Sequence, residues 1–117
     1  MSQKGFSLLA KKIALLAREA VLDKKAEEPV ILDVGKLTSV ARYFLVTHGN
    51  SDRQVRAVAQ HVMEVLKEHK VALWHVEGME EGRWVLLDFG SLIAHIFYRE
   101  TRAFYGLERL WGEAKQL

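Results

Sequence analysis

The sequence is 117 residues long and half hydrophobic, with 17 Lys and Arg against 15 Asp and Glu and a formal charge of +2. That length fits one domain over 1–117 with no room for a second core, and the scattered, nearly balanced charge excludes a polycationic surface that would hold nucleic acid by its phosphates. There is no cysteine, which rules out disulfides, thiolate metal sites and cysteine nucleophiles and makes the reducing cytoplasm the expected compartment.

Across 6–22 the apolar residues Leu9, Ile13, Leu16, Ala17 and Ala20 recur at three- and four-residue steps. Lys12, Arg18, Glu19 and Asp23 fall elsewhere on the wheel, so the pattern predicts an amphipathic helix. Its apolar run at 13–16 is too short for a signal segment or a membrane span. Packing against a sheet is the expected use of the stripe, ahead of a place on a membrane surface. Pro29 predicts a loop entering a strand at 30–34. A second strand is expected at 43–47, ending at His48-Gly49-Asn50. Ser51 with Gln54 three residues on forms a capping-box pattern, and Val55, Val58, Ala59, Val62 and Leu66 continue one helical face.

Further strands are expected at 71–76, 84–88 and 92–97, the last two as a hairpin through Phe89-Gly90-Ser91. The strands before and after the Ser51 helix should run parallel as neighbours through a right-handed crossover, which makes the sheet mixed. The segment 102–111 is helical in composition but interrupted by Gly106, predicting two short pieces. No internal repeat or low-complexity stretch is present.

Chemistry-bearing residues are sparse. Gly49-Asn50-Ser51 ahead of a helix could hold an anion, but without a glycine-rich phosphate motif ordinary capping is the plainer expectation. His48, His75 and His95 lack metal-ligand spacing, and His95 shares a strand face with Ile93 and Phe97. Asp33 and Asp88 could converge as a carboxylate pair or simply end their strands in local turns; turns are expected. The last third is rich in aromatics: Trp84, Phe89, Phe97, Tyr98, Phe104, Tyr105 and Trp111. In 84–88, Trp84, Leu86 and Asp88 share one face and Val85 and Leu87 the other, so both faces of that strand should touch something. Either a partner meets the second face, or the C-terminal helical pieces cover it.

Three stretches resemble the ribosomal silencing factor, or Iojap-related, family. They are Tyr43-Phe44-Leu45-Val46-Thr47-His48-Gly49-Asn50-Ser51-Asp52-Arg53-Gln54-Val55, then Glu77-Gly78 with Trp84-Val85-Leu86-Leu87-Asp88-Phe89-Gly90 and His95-Ile96-Phe97, and Arg102-Ala103-Phe104-Tyr105-Gly106-Leu107-Glu108-Arg109-Leu110-Trp111. With the strands read above, the resemblance implies an α+β fold. Its mixed β-sheet has about five strands, with helices packed mainly on one face and a nucleotidyltransferase-like core that lacks the catalytic carboxylates.

The resemblance further implies a translational repressor that binds the large ribosomal subunit through its fourteenth ribosomal protein. Such a repressor keeps the small subunit away and lowers translation in nutrient limitation. Homodimers, no cofactor, no metal, no membrane and no sequence-specific nucleic acid belong to the same expectation. The partner-binding residues it implies are Trp84, Leu86, Asp88, Phe89, His95, Phe97 and Tyr105, with Leu107, Leu110 and Trp111 as weaker candidates that could be core. Arg42 and Ser91 stand where acidic residues are usual in the family, a loss of negative charge that would weaken steering toward a basic partner.

Two other readings remain open: a nucleotidyltransferase-like enzyme and a plain dimerisation module. The first needs a D-x-D pair soon after the Ser51 helix start, and the nearest later acids are Asp52, Glu64 and Glu68. The tryptophans sharpen the docking reading. Trp84 is expected at the sheet margin, so that Trp84→Ala weakens binding and leaves stability nearly unchanged, whereas Trp74→Ala, expected in a strand beside the Ser51 helix, should mainly destabilise.

Overall fold

A computed structural model describes the backbone of residues 3–117 and the side chains from Leu9 onward. The side chain of Phe6, where the apolar pattern of the first helix begins, lies outside the described residues. The elements run α1 (Gln3–Asp23), β1 (Glu27–Asp33), β2 (Tyr43–Gly49), α2 (Asp52–Glu68), β3 (His75–Glu77), β4 (Trp84–Asp88), β5 (Leu92–Tyr98), α3 (Arg99–Tyr105), α4 (Leu107–Leu110) and β6 (Lys115–Gln116). The strands form one mixed sheet in the order β3-β4-β5-β2-β1-β6, in which only β2 and β5 pair parallel.

The sheet thus has six strands where about five were expected. The sixth is two residues of the C-terminus laid along the edge of β1, with Leu32 opposite Gln116 and Asp33 opposite Lys115. The crossover also differs. β3 does run in the direction of β2, but it sits at the far edge, and the strand beside β2 is β5. Most of the strand expected at 71–76 is irregular, with β3 only three residues long. Pro29 lies inside β1, not before it. A bulge between Glu27 and Val30, with Glu28 at φ +46°, takes the proline out of the regular ladder, where its missing N–H costs nothing.

α1 and α2 cover one face of the sheet. The five α2 residues named from periodicity, Val55, Val58, Ala59, Val62 and Leu66, are all fully buried, against Ile31, Leu45, Val85, Leu87, Ala94 and Ile96 of the strands. The capping box forms in a shifted version. Ser51 Oγ accepts from the Gln54 N–H at 3.0 Å, and the Gln54 carboxamide oxygen accepts from Asn50 N–H at 2.8 Å, one residue earlier than the usual reciprocal bond. Gln54 Nε2 also reaches the Lys25 carbonyl, tying the start of α2 to the end of α1. With its groups so engaged, the Gly49-Asn50-Ser51 turn is accounted for by capping.

The opposite face carries Leu32, Val34, Ala41, Phe44, Val46, Ile93 and Phe97, and the C-terminal segment lays Leu107, Trp111 and Ala114 over it. That segment bends at Gly106, which adopts the left-handed conformation (φ 56°, ψ 42°) that ends α3 and starts α4. No described helix is long and apolar enough to cross a membrane.

Candidate partner-binding surface

The C-terminal cover is incomplete. It sits over β1, β2 and β5, and the β3–β4 end of the same face stays partly open. Strand alternation places Trp84, Leu86 and Asp88 on this side, each half-buried, while Val85 and Leu87 are buried on the helix side. Cross-strand pairing sets Trp84 beside Phe97, Leu86 beside His95 and Asp88 beside Ile93. On the other flank, Glu77 lies opposite Leu86 and His75 opposite Asp88.

Trp84 is held from several directions. Its ring packs at 5.0 Å from Phe97 and 4.8 Å from Tyr105, which reaches it from α3. Its indole N–H donates to His95 Nδ1 at 3.1 Å. Behind it the chain makes a close approach: a Cβ on Gly78, which has φ +85°, would strike the Trp84 carbonyl. The β3–β4 connection therefore needs glycine there for Trp84 to keep its place.

His95 is 5% exposed, enclosed by Phe44, Trp84 and Phe97. Since Nδ1 accepts from Trp84, the ring proton sits on Nε2, a buried atom with no hydrogen-bond partner among the described residues. Burial pushes its pKa down to about 4, so the ring is neutral at physiological pH.

The seven residues expected to meet a partner divide accordingly. Trp84, Leu86, Asp88 and the half-exposed Tyr105 surround the opening. His95 supports it from beneath. Phe97 is wholly buried, under Trp84, and offers no surface. Phe89 is on the other side of the sheet, 5% exposed in the helix-side core beside α1, where it continues the alternation of Val85 and Leu87. The weaker candidates split as well: Trp111 packs edge-on against Phe44 at 5.3 Å, whereas Leu110 is 76% exposed.

The rim is acidic. Glu77 is largely exposed and 3.1 Å from His75, and Asp88 fixes the hairpin turn through the Gly90 N–H at 2.8 Å. Glu77, part of the resembling stretches but not among the expected partner-binding residues, comes to the rim by pairing opposite Leu86. Asp33 and Asp88 do not converge. Both lie at one end of the sheet, but three strand spacings separate them, about 14 Å. Asp33 instead pairs with Arg42, whose Nε donates at 3.1 Å, and the hydrogen bond raises the arginine pKa. Arg42 is thus a structural partner at the β1–β2 end, away from the opening. Among the described residues no group of three or more His, Asp or Glu side chains could hold a metal ion.

Trp74 is not in a strand beside α2. Its backbone N–H donates to the Asp88 carbonyl, and its side chain, 71% exposed, lies over Gly90. There it borders an apolar groove of about 450 Å³ with Leu9, Ile13, Val40 and Phe89. The placement in a strand beside α2, on which a mainly destabilising Trp74→Ala was expected, is therefore corrected.

Residues 8–117 match the family model described as ribosomal silencing factor during starvation. A Halalkalibacterium halodurans protein named ribosomal silencing factor RsfS is 44% identical over 99 residues, 85% of each chain. One of the same name from Bacillus subtilis is 42% identical over 89% of this chain and 88% of its own. A crystal structure of a Chromobacterium violaceum protein superimposes with a TM-score of 0.86 at 41% identity, covering 87% of this chain and 85% of that one. A more distant mouse relative, 28% identical over 85% of this chain and 42% of its own, is named mitochondrial assembly of ribosomal large subunit protein 1. With a matched family model over nearly its whole length and relatives above 40% identity, this chain belongs to the RsfS family of ribosomal silencing factors.

Proposed function

We propose that this protein is a translational repressor that binds the large ribosomal subunit through its fourteenth ribosomal protein, and that the docking surface is the opening around Trp84, Leu86 and Tyr105. Bound there, it sterically blocks association with the small subunit and lowers translation in nutrient limitation. It works in the cytoplasm as a homodimer, without catalysis, on a nucleotidyltransferase-like core. The observation that carries the choice of surface is the half-covered aromatic face. An indole held on three sides presents its remaining edge next to an aliphatic side chain, and carboxylates on Glu77 and Asp88 form the rim. A pre-positioned aromatic anchor loses little entropy on docking, and an acidic rim suits a basic partner such as a ribosomal protein. The large-subunit assignment draws support from the mouse relative's name as well as from the family.

The test is a sucrose gradient with crosslinking. The protein should travel with free large subunits and crosslink to one ribosomal protein, and Trp84→Ala should weaken that association at least about thirtyfold, or about 2 kcal/mol. Equal distribution over subunits, joined ribosomes and free protein would count against silencing by exclusion. A folded Trp84→Ala protein with unchanged binding would move the docking surface elsewhere.

A further inference from the structure

The C-terminal segment is fastened to the sheet by one buried cation. Arg102 of α3, only 8% exposed, donates through NH1 to His48 Nδ1 at 2.9 Å and to the Glu27 carbonyl at 3.3 Å, and through Nε to Glu108 of α4 at 2.8 Å. It therefore joins β1, β2, α3 and α4 at a single point. The β1 bulge helps make this possible by breaking the ladder register beside Glu27, whose carbonyl accepts from both Thr47 Oγ1 and Arg102.

Three residues along α3 from Arg102, Tyr105 lies on Trp84; nine residues along, Trp111 lies on Phe44. Elsewhere the segment is lightly held. α4 buries none of its four residues, and β6 contributes two.

We propose that Arg102 is a positioning residue for the docking face: clasped between His48 and Glu108, it seats Tyr105 and Trp111 on the sheet, and protonation of His48 opens the clasp. This rests on the reading of the Trp84 opening as the docking surface. The reason for the opening is stereochemical. Arg102 has only N–H donors, so it can bond Nδ1 only while that nitrogen keeps its lone pair; a proton there replaces an acceptor with a second donor and a second positive charge.

The other groups around His48 are Glu27 and Glu28 from β1 and Arg99 from α3, with Glu108 and Arg109 from α4 lining the same small pocket. Glu27, 3.6 Å from His48 Nε2, favours protonation. Burial and the two arginines oppose it more strongly, and the His48 pKa lies below its ordinary 6.5. In the released state the ring regains its ordinary value, so release becomes easier as the pH falls below about 6.5 and gains nothing above it.

Hydrogen exchange of the full chain by NMR tests this at pH 7 to 5, with rates corrected for intrinsic pH dependence. The reporters are the amides of Gly106, Leu110, Trp111 and Leu117, each bonded within or by the segment, with Val62 of α2 as the core control. The expected result is an opening equilibrium for the segment that rises by up to about tenfold per pH unit below about 6.5, while Val62 stays protected. His48→Gln, which has no group that titrates in this range, should abolish the pH dependence whatever its level of opening at pH 7. Arg102→Met should leave the segment open at both pH values and reduce large-subunit binding at pH 7 about tenfold or more.

An unchanged pH profile in His48→Gln, or loss of protection at Val62 together with the segment, overturns the clasp. If Arg102→Met does not fold, the wild-type and His48→Gln profiles still decide. If those profiles behave as stated but Trp84→Ala binds large subunits at wild-type strength, the docking reading is what fails, and the clasp stands as a property of the fold.

Discussion

The two ends of one sheet face have different fates. Over β1, β2 and β5, the C-terminal residues Leu107, Trp111 and Ala114 return to close the face, and Phe44, Val46, Ile93 and Phe97 behave as a second, smaller core. Over β3 and β4 only Tyr105 of α3 reaches across, to Trp84, and residues of the same alternation, Trp84 and Leu86, stay half-buried. Chemically the two ends are alike, both aromatic and aliphatic. What distinguishes them is the reach of a short segment tethered at Arg102, so an apolar strand face becomes core or contact surface according to where its cover stops.

Adjacent leucines of β4 make the sharpest test of that division. Leu87→Ala, on the fully buried helix side, should lower stability by about 2–5 kcal/mol, measured as a shift in urea midpoint. Leu86→Ala, one residue earlier and facing the opening, should cost clearly less stability and instead weaken association with large subunits. Equal losses of stability would mean that the opening is closed in solution.

Acid should come next in size. His95 holds its pKa at about 4 by burial, below the ordinary 6.5. The folded state excludes a proton that the unfolded chain accepts. The stability contributed by the neutral ring is therefore fully present above pH 6.5 and is lost as the pH falls from there toward 4, about 3 kcal/mol in all. Urea titrations at several pH values measure this, and His95→Gln should flatten the profile over that window, at some fixed cost to the Trp84 contact.

The smallest effect is expected at Trp74. Its exposed ring rests on Gly90 at the rim of the groove, so Trp74→Ala should change stability by about 1 kcal/mol or less while removing the most solvent-exposed, red-shifted component of tryptophan emission. Trp84→Ala should differ on both counts. The Phe97 and Tyr105 packing and the His95 hydrogen bond cost more stability when lost than the sheet-margin position alone suggested.

Features that depend on neighbours a few residues away were legible in the amino-acid order. The stripe Val55, Val58, Ala59, Val62 and Leu66 and the Ser51 cap specify α2; alternation specifies which side of β4 each residue takes; Gly106 splits the last helical segment. These are periodicities of 3.6 and 2.0 and a backbone conformation open to glycine, all readable locally. Features that depend on which distant segment arrives emerged only from the folded chain. Pro29 is tolerated within β1 because a bulge removes it from the ladder, β3 goes to the far edge because β5 takes the place beside β2, and the C-terminus supplies an unforeseen sixth strand. Phe97 is buried and Trp74 exposed for the same reason. A side chain's hydrophobicity states how much it gains by leaving water, but only the segment that arrives, Trp111 over Phe44 or Trp84 over Phe97, settles which apolar residues are enclosed and which remain for a partner.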